Sequence, residues 1–237
     1  MMAELTEHQR EALRAYEALM TERPELFAGR YARPIVRDRE ALASFAAEHG
    51  AILGVAAETP YILFIVDLVE SRTPDATVRR HPYLRVVSRA QLEGGVNVIV
   101  LATIENPSLG KKGEVVLVEQ ERHALGTYEI ELPRGFGERG FSGEANALRE
   151  LEDETGYAGD HAYFFGTTCS DSGLTDGIVS FYHIPVVRRT AHKPEAEEAI
   201  SRVRLATREE LWELIQSGGI RDGFTLQALA LYEKLRV

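Results

Sequence analysis

Apolar residues recur at helical spacing over residues 6–21, with Leu13, Tyr16, Leu19 and Met20 on one stripe as core or partner contact. The run opens on Thr6, with Gln9 three positions on, the signature of a capping box. After a connection containing Pro and Arg, Asp38 is placed to cap a second helix, which carries Leu42 and Phe45 and ends at His49-Gly50. The pattern then shortens. Ala51–Ala57 and Tyr61–Val69 read as strands, residues 71–82 as an exposed loop, and Tyr83–Ser88 as a third strand. From Gly94 strands are joined by turns. Val96–Thr103 is apolar almost throughout, as a buried strand is, and Glu114–Arg122 and Thr127–Leu132 follow, the last running into Pro133-Arg134-Gly135.

Residues 135–157 combine a glycine-rich turn with a short helix, capped by Ser142, ended by Gly156 and turning Leu148 and Leu151 inward. Beyond it, Tyr163–Gly166 and Ile178–Val187 read as strands separated by the turn formers of residues 170–176. Residues 192–198 form an acidic loop, and Thr207 with Glu210 opens a helix whose Leu211, Trp212, Leu214 and Ile215 are expected in the core. Gly218-Gly219 stops that helix, and a last one is expected over Ile220–Leu235.

Composition narrows the class. The 237 residues, 44% of them hydrophobic, suffice for a large soluble domain or a domain with an extension. Thirty-seven acids against 27 bases give a net charge of −10, which argues against a general nucleic-acid or anionic-membrane surface. The single cysteine excludes an internal disulfide, the polar N-terminus lacks the apolar core of a signal peptide, and a cytoplasmic protein with no membrane partner is expected. Arg79-Arg80-His81 offers charge to a phosphate, though a short basic run on a loop is commonly plain surface.

The chemistry concentrates on the helix after Gly135. At about 100° per residue, Glu150, Asp153 and Glu154 share one face. Glu150 and Glu154 repel at i,i+4 unless a cation lies between them, and a hard divalent ion meets that need while keeping some of its waters. The same acids also read as a solvated amphipathic helix. Gly135-Phe136-Gly137-Glu138-Arg139-Gly140 spells GxGxxG, but the acid expected about 20 residues on would have to end a second parallel strand, and here it falls inside the helix.

The stretch resembles the box of the Nudix hydrolases: Gly, five residues, Glu, seven residues, Arg-Glu, an aliphatic, any residue, Glu-Glu, any residue, Gly, an apolar. Gly135, Arg149, Glu150, Leu151, Glu154, Gly156 and Tyr157 take their places in it. Phe141 stands where the box has its first Glu, and Asp153 where it has the first of the Glu-Glu pair. Glu138 and Glu144, each three residues from Phe141, are the acids nearest the vacant place. The approach VVLVEQERHALGTYEIELPRG is similar to that of the branch related to ADP-ribose pyrophosphatase, and the likeness extends over residues 94–235.

The resemblance implies an α/β Nudix fold, a mixed β-sheet sandwiched between helices, in residues 94–237. Residues 1–93 would be an N-terminal α+β extension serving dimerisation or substrate binding. It implies metal-dependent hydrolysis of the pyrophosphate in a nucleoside diphosphate derivative, with ADP-ribose or a similar nucleotide sugar as the leading substrate. Gly135, Glu150, Asp153 and Glu154 would hold Mg²⁺ or Mn²⁺, with Arg149 orienting Glu150 and with Glu150, Arg149 and Glu154 as the catalytic set. Arg122, Glu131 and Arg134 would contact substrate. The base would be Glu150 or an acid from a later loop, among Asp176, Glu195, Glu197 and Glu198. A homodimer is expected from relatives. The alternative is a weak or inactive Nudix-fold module that binds a nucleotide or a protein, which Phe141 favours and the retained Glu150 and Glu154 oppose.

Overall fold

The computed structural model describes residues 4–29, 33–191 and 199–235. They divide into two compact units, one of residues 1–89 with 171–177, the other of residues 90–170 with 178–237. The first unit thus also holds a short segment from far along the chain.

In the first unit, α1 (Glu7–Glu22) carries the expected capping box, Thr6 accepting the Gln9 amide and Gln9 the Thr6 amide. Leu13 and Tyr16 are buried, and Leu19 and Met20 half-buried. Asp38 caps α2 (Arg39–His49), and Gly50 ends it in the left-handed conformation at φ 63°. An antiparallel sheet follows, of β1 (Gly54–Glu58), β2 (Ile62–Arg72) and β3 (Val78–Ser88). A side chain at Gly54 would meet the Ala12 carbonyl at 2.5 Å and Tyr16 at 2.8 Å, so glycine lets α1 lie directly on β1.

The expected loop over 71–82 is corrected. β2 and β3 pair without interruption from Ile62–Ser88 to Arg72–Val78, and only residues 73–77 turn. The Glu70–Arg80 ion pair at 2.9 Å joins the strands, and Thr73 N–H donates to the Thr77 carbonyl at 3.0 Å to close the turn. Such cross-strand pairs let a charged stretch be strand. Arg79, Arg80 and His81 therefore lie on β3. Residues 171–177 cover its outer edge. Val86 N–H donates to the Leu174 carbonyl at 2.8 Å, and the Tyr83 hydroxyl to the Gly173 carbonyl at 2.7 Å.

The second unit begins in α3 (Arg89–Leu92), which spans the division, and is built on β4 (Asn97–Ile104), β5 (Val115–Arg122), β6 (Thr127–Glu131) and β7 (Arg134–Gly135). There follow α4 (Gly143–Thr155), β8 (Tyr157–Ala158), β9 (Tyr163–Cys169), β10 (Ile178–Val186), β11 (Arg188–Arg189), β12 (Ile200–Ala206), α5 (Arg208–Gln216) and α6 (Gly223–Leu235). The main sheet runs β12-β5-β4-β10-β9, with β6 on β5 and β7 on β4, while β8 and β11 pair apart from it. Among the described strands of this sheet, only β4 and β10 pair in parallel.

All of β4 is buried, because the sheet is covered on both faces. Val98, Val100, Ala102 and Ile104 pack with Ala147 and Leu151 of α4. Ile99 and Leu101 pack on the other face with Leu211 of α5 and Ala228 and Leu229 of α6. Burial on both sides produces the near-continuous apolar run seen in the sequence. Three expectations change here. β9 reaches Cys169 rather than Gly166, α6 begins at Gly223 rather than Ile220, and Trp212 stays 40% exposed because α5 turns Leu211 to the core instead. β12, which the sequence reading did not include, alternates Arg202 and Arg204 with Val203 and Leu205. Among the described residues no helix is long and apolar enough to cross a membrane.

Candidate functional site

α4 positions the acids. Ser142 accepts the Ala145 amide at 3.1 Å, Gly156 ends the helix at φ 71°, and fully buried Ala147 and Leu151 fix which face turns to the sheet. Glu150 and Glu154 lie one turn apart, the Glu154 residue being 4% exposed and the Glu150 side chain 13%. Both meet the Arg134-Gly135 turn. Arg134 N–H donates to Glu154 Oε2 at 3.1 Å, and a Cβ built on Gly135 would overlap the Glu150 carboxylate. β7 holds this turn against β4, pairing Gly135 with Val98 and Arg134 with Ile99.

Two asparagines, unrecognised in the sequence, hold the following residues. Asn97 Oδ1 accepts the Gly137 amide at 2.9 Å. Asn146, fully buried, donates through Nδ2 to the carbonyls of Val96 and Phe136, both at 3.1 Å. For Asn146, a polar residue facing inward on the apolar stripe of the helix was the available signal. Gly137 lies against the backbone of Gly95 and Val96, so the central glycine of GxGxxG serves a close chain crossing.

Arg149 donates to Glu150 Oε1 at 2.7 Å, to Asn146 Oδ1 at 2.9 Å and to Glu138 Oε1 at 2.7 Å. Its guanidinium carbon lies 5.4 Å from the centre of the Phe141 ring, within cation–π range. Glu138, an acid nearest the vacant place in the box, is thus engaged with Arg149, and Glu144 is exposed. Phe141 acts as a platform for the arginine.

Arg122, Glu131 and Arg134 come together beside the turn. Arg122 grips Glu131 with Nε at 2.7 Å and Nη2 at 2.6 Å, and Arg134 Nη2 reaches the same carboxylate at 3.0 Å. Glu131 is 1% exposed, and two arginines compensate its charge. Burial works to lower the Arg122 pKa, but the hydrogen bond and charge of Glu131, with Asp222 and Glu154 farther off, outweigh it and raise the pKa. Asp222, to which the sequence reading gave no site role, accepts from Arg134 Nη1 at 3.2 Å.

The donor set suits a hard cation in kind, being carboxylate oxygens beside a glycine whose missing side chain leaves Glu150 room. It is not assembled as expected. Among the described residues no three of His, Cys, Asp and Glu gather into a metal-binding group, so Asp153 does not complete one with Glu150 and Glu154. Consecutive helical acids can share a face while their carboxylates remain apart. Asp176 belongs to the first unit. Glu195, Glu197 and Glu198 lie outside the described residues.

The NUDIX domain family model matches residues 97–226. The chain belongs to the Nudix family. It is similar to the ADP-sugar pyrophosphatase of Mus musculus, at 52% identity over 62 residues, 26% of this chain and 28% of that protein. With the methanol dehydrogenase activator of Bacillus methanolicus it shares 30% identity over 179 residues, 72% of this chain and 84% of the relative. The ADP-ribose pyrophosphatase of Bacillus subtilis (strain 168) is 30% identical over 129 residues, 53% and 70% of the two chains. These likenesses place the chain in the ADP-ribose pyrophosphatase-like branch of the Nudix pyrophosphohydrolases. A solved structure titled as that of an ADP compounds hydrolase superposes with a TM-score of 0.59 at 15% identity, covering 76% of this chain and 88% of its own. That likeness supports the Nudix fold alone.

Proposed function

We propose that this Nudix protein hydrolyses the pyrophosphate bond of a nucleoside diphosphate linked to another group, with ADP-ribose or a similar nucleotide sugar as the leading substrate. The observation that carries this reading is the meeting of Glu150 and Glu154 with the Arg134-Gly135 turn, beside arginines 122 and 134. Glu150, Glu154 and the Gly135 carbonyl would hold Mg²⁺ or Mn²⁺, with Asp153 joining by a side-chain rotation. The ion would neutralise phosphate oxygens and acidify a water. Arg149 holds the Glu150 carboxylate in place, and Glu150 is the candidate to accept the proton of the attacking water. Arg122 and Arg134 present positive charge to the diphosphate, and Glu131 holds both in place.

A second reading is a Nudix-fold module that binds a nucleotide with weak or no turnover. Phe141 and the unassembled third carboxylate favour it. Assaying a panel of nucleoside diphosphate derivatives, ADP-ribose included, with and without Mg²⁺ or Mn²⁺, separates the two. Metal-dependent hydrolysis lost in both Glu150→Gln and Glu154→Gln supports the enzyme. Nucleotide binding without turnover supports the module.

We further read the protein as a cytoplasmic homodimer. Tyr61, Val78 and Leu84 of the first unit are exposed apolar side chains, at 70%, 44% and 44%, available to such a contact. Light scattering that finds only the monomer at micromolar concentration would remove the dimer from the account.

A further inference from the structure

Asp222 divides its two carboxylate oxygens between separate tasks. Oδ1 accepts from Arg134 Nη1 at 3.2 Å. Oδ2 accepts the Thr225 amide at 2.9 Å and the Thr225 hydroxyl at 2.8 Å, capping α6. The Thr225 hydroxyl, fully buried, accepts in turn from the Leu132 amide at 3.0 Å, two residues before Arg134. The start of α6 is therefore tied to the strand that delivers Arg134, both through its backbone and through the guanidinium. Phe224, between the capping residues, lies under the same guanidinium at 5.4 Å.

We propose that Asp222 is a positioning residue for the diphosphate substrate, acting through Arg134. The inference rests on the functional reading above. Arg134 has a long, flexible side chain, and Glu131 meets it at Nη2, 3.0 Å away. The second carboxylate, on Nη1, fixes the plane of the fork, as bidentate recognition of a diphosphate requires. Phe224 limits rotation out of that plane. Because the capping oxygen and the arginine-binding oxygen are different atoms, the two roles of Asp222 can be separated by substitution.

The experiment uses Asp222→Asn in the full chain. Asparagine caps helices as well as aspartate, so its amide oxygen can keep the Thr225 contacts while the charged partner of Arg134 is lost. With ADP-ribose as probe, KM is expected to rise roughly tenfold, with kcat changed less and the thermal midpoint nearly unaltered. In an Arg134→Ala background the same substitution is expected to leave KM where Arg134→Ala alone puts it. An unchanged KM in Asp222→Asn, or effects of the two substitutions that multiply, would overturn the positioning role while the activity itself stands. If the unaltered protein neither hydrolyses nor binds ADP-ribose or any related nucleoside diphosphate, the functional reading falls, and the positioning role falls with it. If it binds without turnover, dissociation constants replace KM in the same comparison. Asp222→Ala, which also removes the cap, reports a purely structural contribution as a drop in thermal midpoint.

Discussion

Arg149 Nη2 donates to Glu150 Oε1 at 2.7 Å, between neighbours in sequence on α4. Adjacent helical side chains do not ordinarily face each other, and the contact forms because Asn146, Glu138 and the Phe141 ring hold the guanidinium back over the helix. Arg149→Lys keeps the charge but cannot reproduce a planar fork with several partners. We expect it to lower kcat by about tenfold to a hundredfold with KM little changed. Steady-state kinetics with wild-type kcat would show that Glu150 needs no such partner.

Gly135→Ala tests the turn. The added methyl overlaps the far end of Glu150, a movable group, so folding is expected to survive with a small change in melting temperature. Activity should fall by about a hundredfold, the scale on which a displacement near 1 Å can act. A variant melting and turning over as wild type would mean that Glu150 works from another position.

Phe141→Glu restores the acid that the box ordinarily has. An added ligand charge tightens a hard-cation site, and the metal concentration needed for half activity is expected to drop by about tenfold. The readout is the metal titration. Phe141→Leu, which removes only the platform under Arg149, should leave that concentration unchanged and lower kcat modestly. A Phe141→Glu variant requiring as much metal as wild type would show that residue 141 lies out of reach of the ion.

Where local chemistry decides structure, it could be read from the chain. Thr6-Gln9, Asp38, Ser142 and Thr207-Glu210 each cap the helix expected of them. β4 was legible because two covered faces demand an unbroken apolar run. The hairpin at 71–82 was not, because its charges are satisfied by partners on another strand, and the edge position of residues 171–177 is a long-range pairing. The resemblance named Arg122, Glu131 and Arg134, and the structure brings these three side chains together. Asn97 and Asn146 were missed, and Asp222 was given no role, because their partners are distant in sequence.

The Glu129–Arg221 pair predicts a pH dependence. Glu129 is 3% exposed, and its hydrogen bond from the Arg221 guanidinium holds its pKa below the ordinary 4.5, although Arg221 lies at the surface and solvent weakens the pair. With the folded pKa depressed, the stabilisation is present above about pH 4.5 and is lost as pH falls through the lower folded value. Glu129→Gln should therefore lower the melting temperature at pH 7 by about 2–4 °C per kcal/mol lost. Against wild type, the difference should shrink towards pH 3. A difference independent of pH would assign the effect to packing.

In the first unit, Asp67 is 2% exposed and accepts from the Tyr16 hydroxyl and from Nε and Nη2 of Arg85, at 2.5 and 3.3 Å. Arg85 also donates to the Leu26 carbonyl at 3.0 Å and lies over Phe27. Removing one partner strands a buried charge, so Arg85→Ala is expected to destabilise this unit by about 3–5 kcal/mol. Replacing the whole network by Arg85→Met, Asp67→Leu and Tyr16→Phe together removes the desolvation cost along with the bonds, and stability should return to near wild type. Denaturant melts distinguish the cases. If the triple variant is as unstable as Arg85→Ala, the network contributes net stability of its own, and the first unit depends on it for more than compensating Asp67.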